Sequence, residues 1–301
     1  MKLTNALLLA IFIAGLMVIS RWMGQQAYSW MPGQATAEAK YVDDLFSFLV
    51  SLGTFVFLGI TGVLAYAILT GRAVKGDWSD GPAIEGNSTL EILWTVVPVL
   101  LVLWIAAQSY MIYQQIDIQG LTSVVHLHLP MEESANAQTV ATSKPAVETI
   151  DVTAKQWSWL FRYPDSTTST ELHLTLNQTT RLALRSQDVL HGFYVPEFRI
   201  KQDVIPNRTI DLTLTPLQAG KYRLRDSQFS GTYFALMEAD VYVESPEVFQ
   251  QWLAQASTRN PSPASNPALA EHSQRTRKAF SSGWVAIPPA SPVIVNYSSN
   301  P

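Results

Sequence analysis

The 301-residue chain contains no cysteine. That excludes disulfides, iron–sulfur clusters, structural zinc built on thiolates and every thiolate–copper centre. Absent thiols say nothing of the redox compartment. Charge is scarce too: charged residues make up 15% of the chain, against roughly 25% in an ordinary globular protein. Apolar residues reach 48%, so part of the chain is expected in lipid. The net charge of -4 comes without long basic or acidic runs, which leaves no footprint for nucleic acid.

Two apolar stretches are long. Residues 45–69 are 25 consecutive positions without a charge, and residues 92–113 another 22. Each exceeds the ~20 residues needed to cross ~30 Å of hydrocarbon as a helix, which makes a pair of buried core helices the weaker reading. A shorter run, residues 6–20, follows Lys2. It suits either the core of a signal peptide or a short extra span, and residues 1–23 are left with both readings. The loop at residues 70–90 carries Arg72 and Lys75, and short Lys/Arg-bearing loops stay cytoplasmic. Everything after residue 114 is then expected outside the cytoplasm.

Residues 40–115 thus read as a transmembrane hairpin and 116–147 as a linker. From residue 148 the period changes to two. Ile150, Val152 and Ala154 alternate, then the apolar parity moves to Trp157, Trp159, Phe161 and Tyr163, as a β-bulge would produce. Further alternating runs lie at Leu172 to Leu176, Leu182 and Leu184, Ile210 to Leu214, Tyr222 and Leu224, and toward Val243. Many short strands separated by turn residues predict an all-β sandwich or barrel over residues 148–245. Residues 246–301 read as a short helix and then an extended tail, because seven of the 17 prolines fall after residue 260.

Three segments carry a resemblance. TLEILWTVVPVL (89–100), AKQWSWLFRYP (154–164) and DVLHGFYVPEFRIKQDVIPNR (188–208) resemble, in order, subunit II of the haem-copper terminal oxidases. The resemblance implies a two-helix anchor against a catalytic subunit I, and a cupredoxin-like Greek-key sandwich on the periplasmic or lumenal side of a plasma or thylakoid membrane. In the cytochrome c oxidase branch that domain holds a dinuclear copper centre that takes electrons from cytochrome c. Dioxygen is reduced in subunit I, which carries the haems and its own copper; subunit III is a further expected partner.

The family's copper loop reads C-S-E-L-C-G-x-x-H-x-x-M, with one more histidine in an upstream D-V-x-H-x-F segment. RDSQFSGTYFALM (225–237) keeps this spacing, with Ser227, Gly231 and Met237 matching. Asp226 and Ser230 stand at the two cysteines, Gln228 at the glutamate and Phe234 at the histidine; His191 and Met237 alone remain of the six ligands. Neither a carboxylate nor a hydroxyl can supply the sulfur bridging that this metal favours. The expectation is therefore that the chain binds no dinuclear copper and no other cofactor. A mononuclear remnant at His191, Asp226 and Met237 is the weaker alternative, and His126 and His128 read as solvated linker histidines.

Glu91, at the cytoplasmic end of the second span, matches the acid that in the family opens a proton channel shared with subunit I. A carboxylate at a membrane boundary suits that work, although a helix N-terminus also favours an acid for itself. Trp157 matches the family's electron-accepting tryptophan and, without copper beneath it, reads as core. Asp188 reads as a plain surface acid. The combination is similar to the copper-less subunit II of the alternative respiratory terminal oxidase of cyanobacteria. It implies a structural subunit of a proton-translocating enzyme fed by membrane quinol through subunit I. The alternatives are direct feeding of subunit I by cytochrome c or a small copper protein, and a membrane-tethered binding module with no oxidase partner.

Overall fold

The computed structural model describes residues 3–72, 76, 86–115, 118–119, 148–277 and 286–298; His126 and His128 lie outside them. The chain divides into two compact units. The first comprises residues 1–32 and 41–115, the second residues 33–40 and 116–301.

Three helices make up the first unit: α1 (Leu3–Ala27), α2 (Ala37–Thr70) and α3 (Ser88–Gln115). Among the described residues these three are long and apolar enough to cross a membrane. At 1.5 Å per residue α1 extends about 38 Å and α2 about 51 Å. Neither long run is amphipathic in the manner of a soluble surface helix; Val96, Val102 and Leu103 on α3 are exposed, as lipid- or protein-facing side chains are. Small residues let α1 approach α2 closely. A side chain on Gly24 would overlap Ser51 Oγ, one on Gly62 would meet the Phe12 ring at 2.6 Å, and Ser47 Oγ donates to the Gly24 carbonyl at 2.7 Å. That is the small-residue packing by which helices associate in lipid. Phe48 on α2 meets the Trp104 edge on α3 with centroids 5.0 Å apart.

The second unit is a sandwich. In chain order its strands are β1 (Ile118–Gln119), β2 (Glu148–Lys155), β3 (Ser158–Arg162), β4 (Thr168–Ser169), β5 (Leu172–Thr175), β6 (Thr180–Ser186) and β7 (His191–Val195). They continue with β8 (Ile200–Val204), β9 (Thr209–Leu214), β10 (Gly220–Asp226), β11 (Glu238–Glu244), β12 (Ser262–Pro263) and β13 (Ile294–Val295). One sheet has the order β1-β9-β6-β2-β3-β4 and the other β5-β11-β10-β7-β8, while β12 and β13 pair with each other. β2 runs parallel to β6, and β5 parallel to β11. The inward side chains of both sheets form one core: Ile150, Val152, Leu182, Leu212, Leu224 and Val241 are all essentially buried. Trp159 on β3 reaches across it, its ring edge-on to Phe193 of β7.

The shift of parity after Ala154 is a tight hairpin rather than a bulge. β2 and β3 are antiparallel with Ala154 opposite Trp159 and Lys155 opposite Ser158, so the residue numbers of each pair add to an odd sum. Paired residues share a face, and an odd sum moves the inward set from even to odd positions. The tail differs from an extended segment as well. After α4 (Pro246–Ser257) comes a further helix, α5 (Pro267–Arg277). Ala264, Ala268 and Val295 are buried, and the Asn296 side chain accepts from the Thr168 backbone N–H at 3.0 Å. Proline here sits at the first position of each helix, where its missing N–H costs nothing.

Candidate functional site

The loop between β10 and β11 leaves its strand at Asp226 and returns at Met237, which bond to each other: the Asp226 N–H donates to the Met237 carbonyl at 3.0 Å. Beside it lies β7, where Gly192 lets the loop come close. A side chain there would collide with Ser227 Oγ and would lie 3.0 Å from the Gln228 nitrogen. The loop's own glycine, Gly231, has φ +116°, and a Cβ on it would sit 2.8 Å from the Trp157 ring. Both glycines are thus required by close approach and, at Gly231, by the left-handed backbone.

Between these strands His191 is completely enclosed. Its Nδ1 lies 2.7 Å from Asp226 Oδ2 and its Nε2 2.9 Å from Asp188 Oδ1. Asp226, at the position of a bridging cysteine, is saturated with donors. Its Oδ1 accepts from the Gly192 N–H at 2.7 Å and the Gln228 N–H at 3.0 Å, and its Oδ2 also accepts from Ser230 Oγ at 2.7 Å. Asp188 accepts from the backbone N–H groups of Gln156 and Val189, both at 2.7 Å. Burial alone would push the His191 imidazole down, but the hydrogen bonds from Asp188 and Asp226 carry it above its ordinary value. Desolvation likewise works to raise Asp188, and is outweighed by its bonds to His191 and the two amides, so its carboxyl is held below the usual range. His191 is thus held between two carboxylates, of which Asp226 has four hydrogen-bond partners and Asp188 three.

Asp188 is therefore not a plain surface acid: its side chain is only 26% exposed and it fixes the second nitrogen of His191. The side chains of Asp226, Ser230 and His191 are hydrogen-bonded together. Gln228 turns outward from the cluster, donating its amide to Asp203 Oδ1 at 2.6 Å. Phe234 sits edge-on to the exposed Phe229 with centroids 5.3 Å apart. Met237 is buried, and its carbonyl also receives the indole N–H of Trp159 at 3.4 Å. Trp157 lies under the loop, 1% exposed and edge-on to Tyr233, with Gln156 donating to the Ser230 carbonyl at 2.6 Å. Its indole nitrogen has no partner among the described residues.

A dinuclear copper centre does not fit these donors. There is no thiolate, and both imidazole nitrogens of His191 are taken. Glu91 lies apart in the first unit, in the first turn of α3 and exposed; Asn87 caps that helix by accepting from the Leu90 N–H at 3.1 Å.

One cluster escaped the pattern analysis. His173 on β5 is stacked between Trp252 of α4 (centroids 3.7 Å) and Tyr242 of β11 (4.8 Å), with Nδ1 3.1 Å from Glu244 Oε2. Its position alternates with Leu172 and Leu174 and so reads as solvent-facing; α4 covers that face. The available signal was the aromatic residue at Trp252, on the buried side of a helix that follows the sandwich.

Fold and site together define a class: a β-sandwich held to the membrane by apolar helices, with a closed ion cluster where a metal loop's spacing persists. The family model for the cytochrome c oxidase subunit II transmembrane domain matches residues 20–112, and that for the periplasmic domain residues 167–244. Cytochrome c oxidase subunit 2 of Synechocystis sp. is 31% identical over 295 residues, covering 89% of this chain and 87% of that relative. Quinol oxidase subunit 2 of Bacillus spizizenii is 27% identical, covering 71% of this chain and 62% of its own length. Among solved structures, the periplasmic domain of subunit II of cytochrome oxidase of Bradyrhizobium japonicum is 26% identical over 38% of this chain and 96% of that one, with a TM-score of 0.36. The chain belongs to the cytochrome c oxidase subunit II family. It is an integral membrane protein with its sandwich on the periplasmic side, and a subunit of an oxidoreductase complex whose catalytic site lies in subunit I.

Proposed function

We propose that this subunit supports a quinol-dependent oxygen reductase and carries no electrons itself. The observation behind the proposal is the enclosure of His191: Asp226 and Ser230 stand at the positions that align with the bridging cysteines, and both ring nitrogens of His191 are bonded, to Asp226 and to Asp188. A soluble one-electron carrier then has no acceptor in the sandwich, and electrons must reach subunit I from the membrane. The role left to this domain, cupredoxin-like in its two mixed sheets, is to cap subunit I on its outer face. Glu91 contributes a carboxylate at the cytoplasmic mouth of a proton path, exposed on α3 where a partner subunit can complete it.

A second reading draws on relatives named for cytochrome c: a small carrier docks on this domain and delivers electrons straight to subunit I. The experiment is purification of the intact complex, metal analysis, and comparison of quinol with reduced cytochrome c as donor. The proposal expects turnover with quinol alone. Two coppers per chain of this subunit would overturn it, and oxidation of cytochrome c without them would establish the second reading.

A further inference from the structure

The α1–α2 pair holds a polar feature that the oxidase role leaves unused. A cleft of about 560 Å³ lies between these helices, entirely within the first unit. Ser20, Arg21 and Gln25 of α1 line it opposite Phe48, Leu52 and Phe55 of α2, whose Ser47 and Ser51 also line it. Residues 3–20 carry no charge, so at Arg21 the apolar run of α1 ends. The next residue, Trp22, is 57% exposed, as residues of the interfacial aromatic belt are. Gly24 packs on Ser47 and Ser51, and Leu16 lies beside Gly59, so Arg21 stands level with Leu52, with Phe55 deeper along α2.

Two unmet groups point into this place. Arg21 makes no ion pair among the described residues, although a lone guanidinium at a hydrocarbon boundary is costly unless it finds an anion. Ser20 is 4% exposed and its hydroxyl has no hydrogen-bond partner. The one carboxylate lining the cleft, Asp44, is already bonded to the Tyr28 hydroxyl at 2.7 Å. Tyr28 lies seven residues beyond Arg21, about 10 Å farther along the axis, so Asp44 does not serve the guanidinium.

We infer that this cleft binds a lipid with an anionic headgroup from the outer leaflet. The phosphate or sulfonate oxygens are held by the Arg21 guanidinium fork, the Ser20 hydroxyl and the Gln25 amide, and an acyl chain runs inward past Phe55. Planar bidentate recognition of a tetrahedral anion is what arginine offers over lysine.

The test uses the complete oxidase carrying this full-length chain, purified in mild detergent and reconstituted into nanodiscs of phosphatidylglycerol or of phosphatidylcholine. Mass spectrometry then quantifies lipid retained after detergent exchange. The expected result is one anionic lipid held per chain, with retention at least about tenfold lower in Arg21→Leu and partly kept in Arg21→Lys. Arg21→Leu makes α1 more apolar, so membrane insertion is not endangered. Leu52→Trp, which fills the cleft opposite Arg21 and leaves the guanidinium in place, should displace the lipid as well. Equal retention in Arg21→Leu, retention of phosphatidylcholine or of a quinone instead, or wild-type complex with no bound lipid would each overturn the inference. The headgroup mass distinguishes phosphate from sulfonate. Metal content and donor preference, which test the oxidase reading, are independent of all these outcomes.

Discussion

At the scale of single residues, buried charge closes the loop between β10 and β11. His191 and the Asp226 side chain are both fully enclosed, and removing one member of such a pair leaves an uncompensated buried charge. His191→Leu should therefore cost roughly 3–5 kcal/mol, seen as a fall in the thermal unfolding midpoint followed by tryptophan fluorescence. The pH dependence has a definite sign. The folded His191 is raised above its unfolded value, so its contribution is whole below about pH 6.5 and is lost as the pH rises through the higher folded value. Asp188 is depressed, so its contribution is present above the ordinary carboxylate value and disappears as the pH falls through the lower folded one. Protection of the Gly192 and Gln228 amides, which both donate to Asp226, measured against their intrinsic exchange rates, should fall on the alkaline side in the wild type; in His191→Gln that pH step in protection should vanish. The loop alignment made His191 and Asp226 visible in the sequence. It could not show Asp188 as the second clamp, because a residue three positions upstream faces the ring only through the turn that the Gln156 and Val189 amides fix.

At the scale of elements, the loop's path is set by Gly231 and the face of Trp157. Gly231→Ala should destabilise by about 1–3 kcal/mol, since it combines a left-handed backbone with a Cβ 2.8 Å from the indole. The same conservation of path makes the loop convertible. Joint replacement by Asp226→Cys, Gln228→Glu, Ser230→Cys and Phe234→His, with His191 and Met237 already in place, should yield two coppers per chain and thiolate–copper absorption in the visible. A protein that stays colourless and copper-free would show that the loop has lost more than its ligands. Period-two alternation made β5, β6, β9, β10 and β11 legible, because one face of each is in the core. The β2–β3 connection read as a bulge because alternation reports which face is inward and not where the chain reverses. α5 went unseen because proline and serine composition speaks of chain stiffness, and its buried alanine, Ala268, is too small to produce an apolar period.

At the scale of the whole molecule, the three apolar helices make this chain a component of a membrane assembly, and its remaining chemistry depends on partners. Glu91→Gln should slow proton-coupled turnover of the assembled oxidase and lower proton translocation, while leaving the thermal midpoint of the sandwich unchanged. Unaltered turnover and pumping would reduce Glu91 to an acid at a helix terminus. The cluster around His191 has a further consequence at this scale. A loop closed by a proton is complete as soon as the chain has folded; nothing has to be delivered to it, and no pair of thiols has to be kept reduced on the far side of the membrane. Under the copper-free role proposed above, maturation of this domain is uncoupled from external copper, and in membranes of copper-starved cells its folded form, assayed by protease resistance, should reach the level found in replete cells.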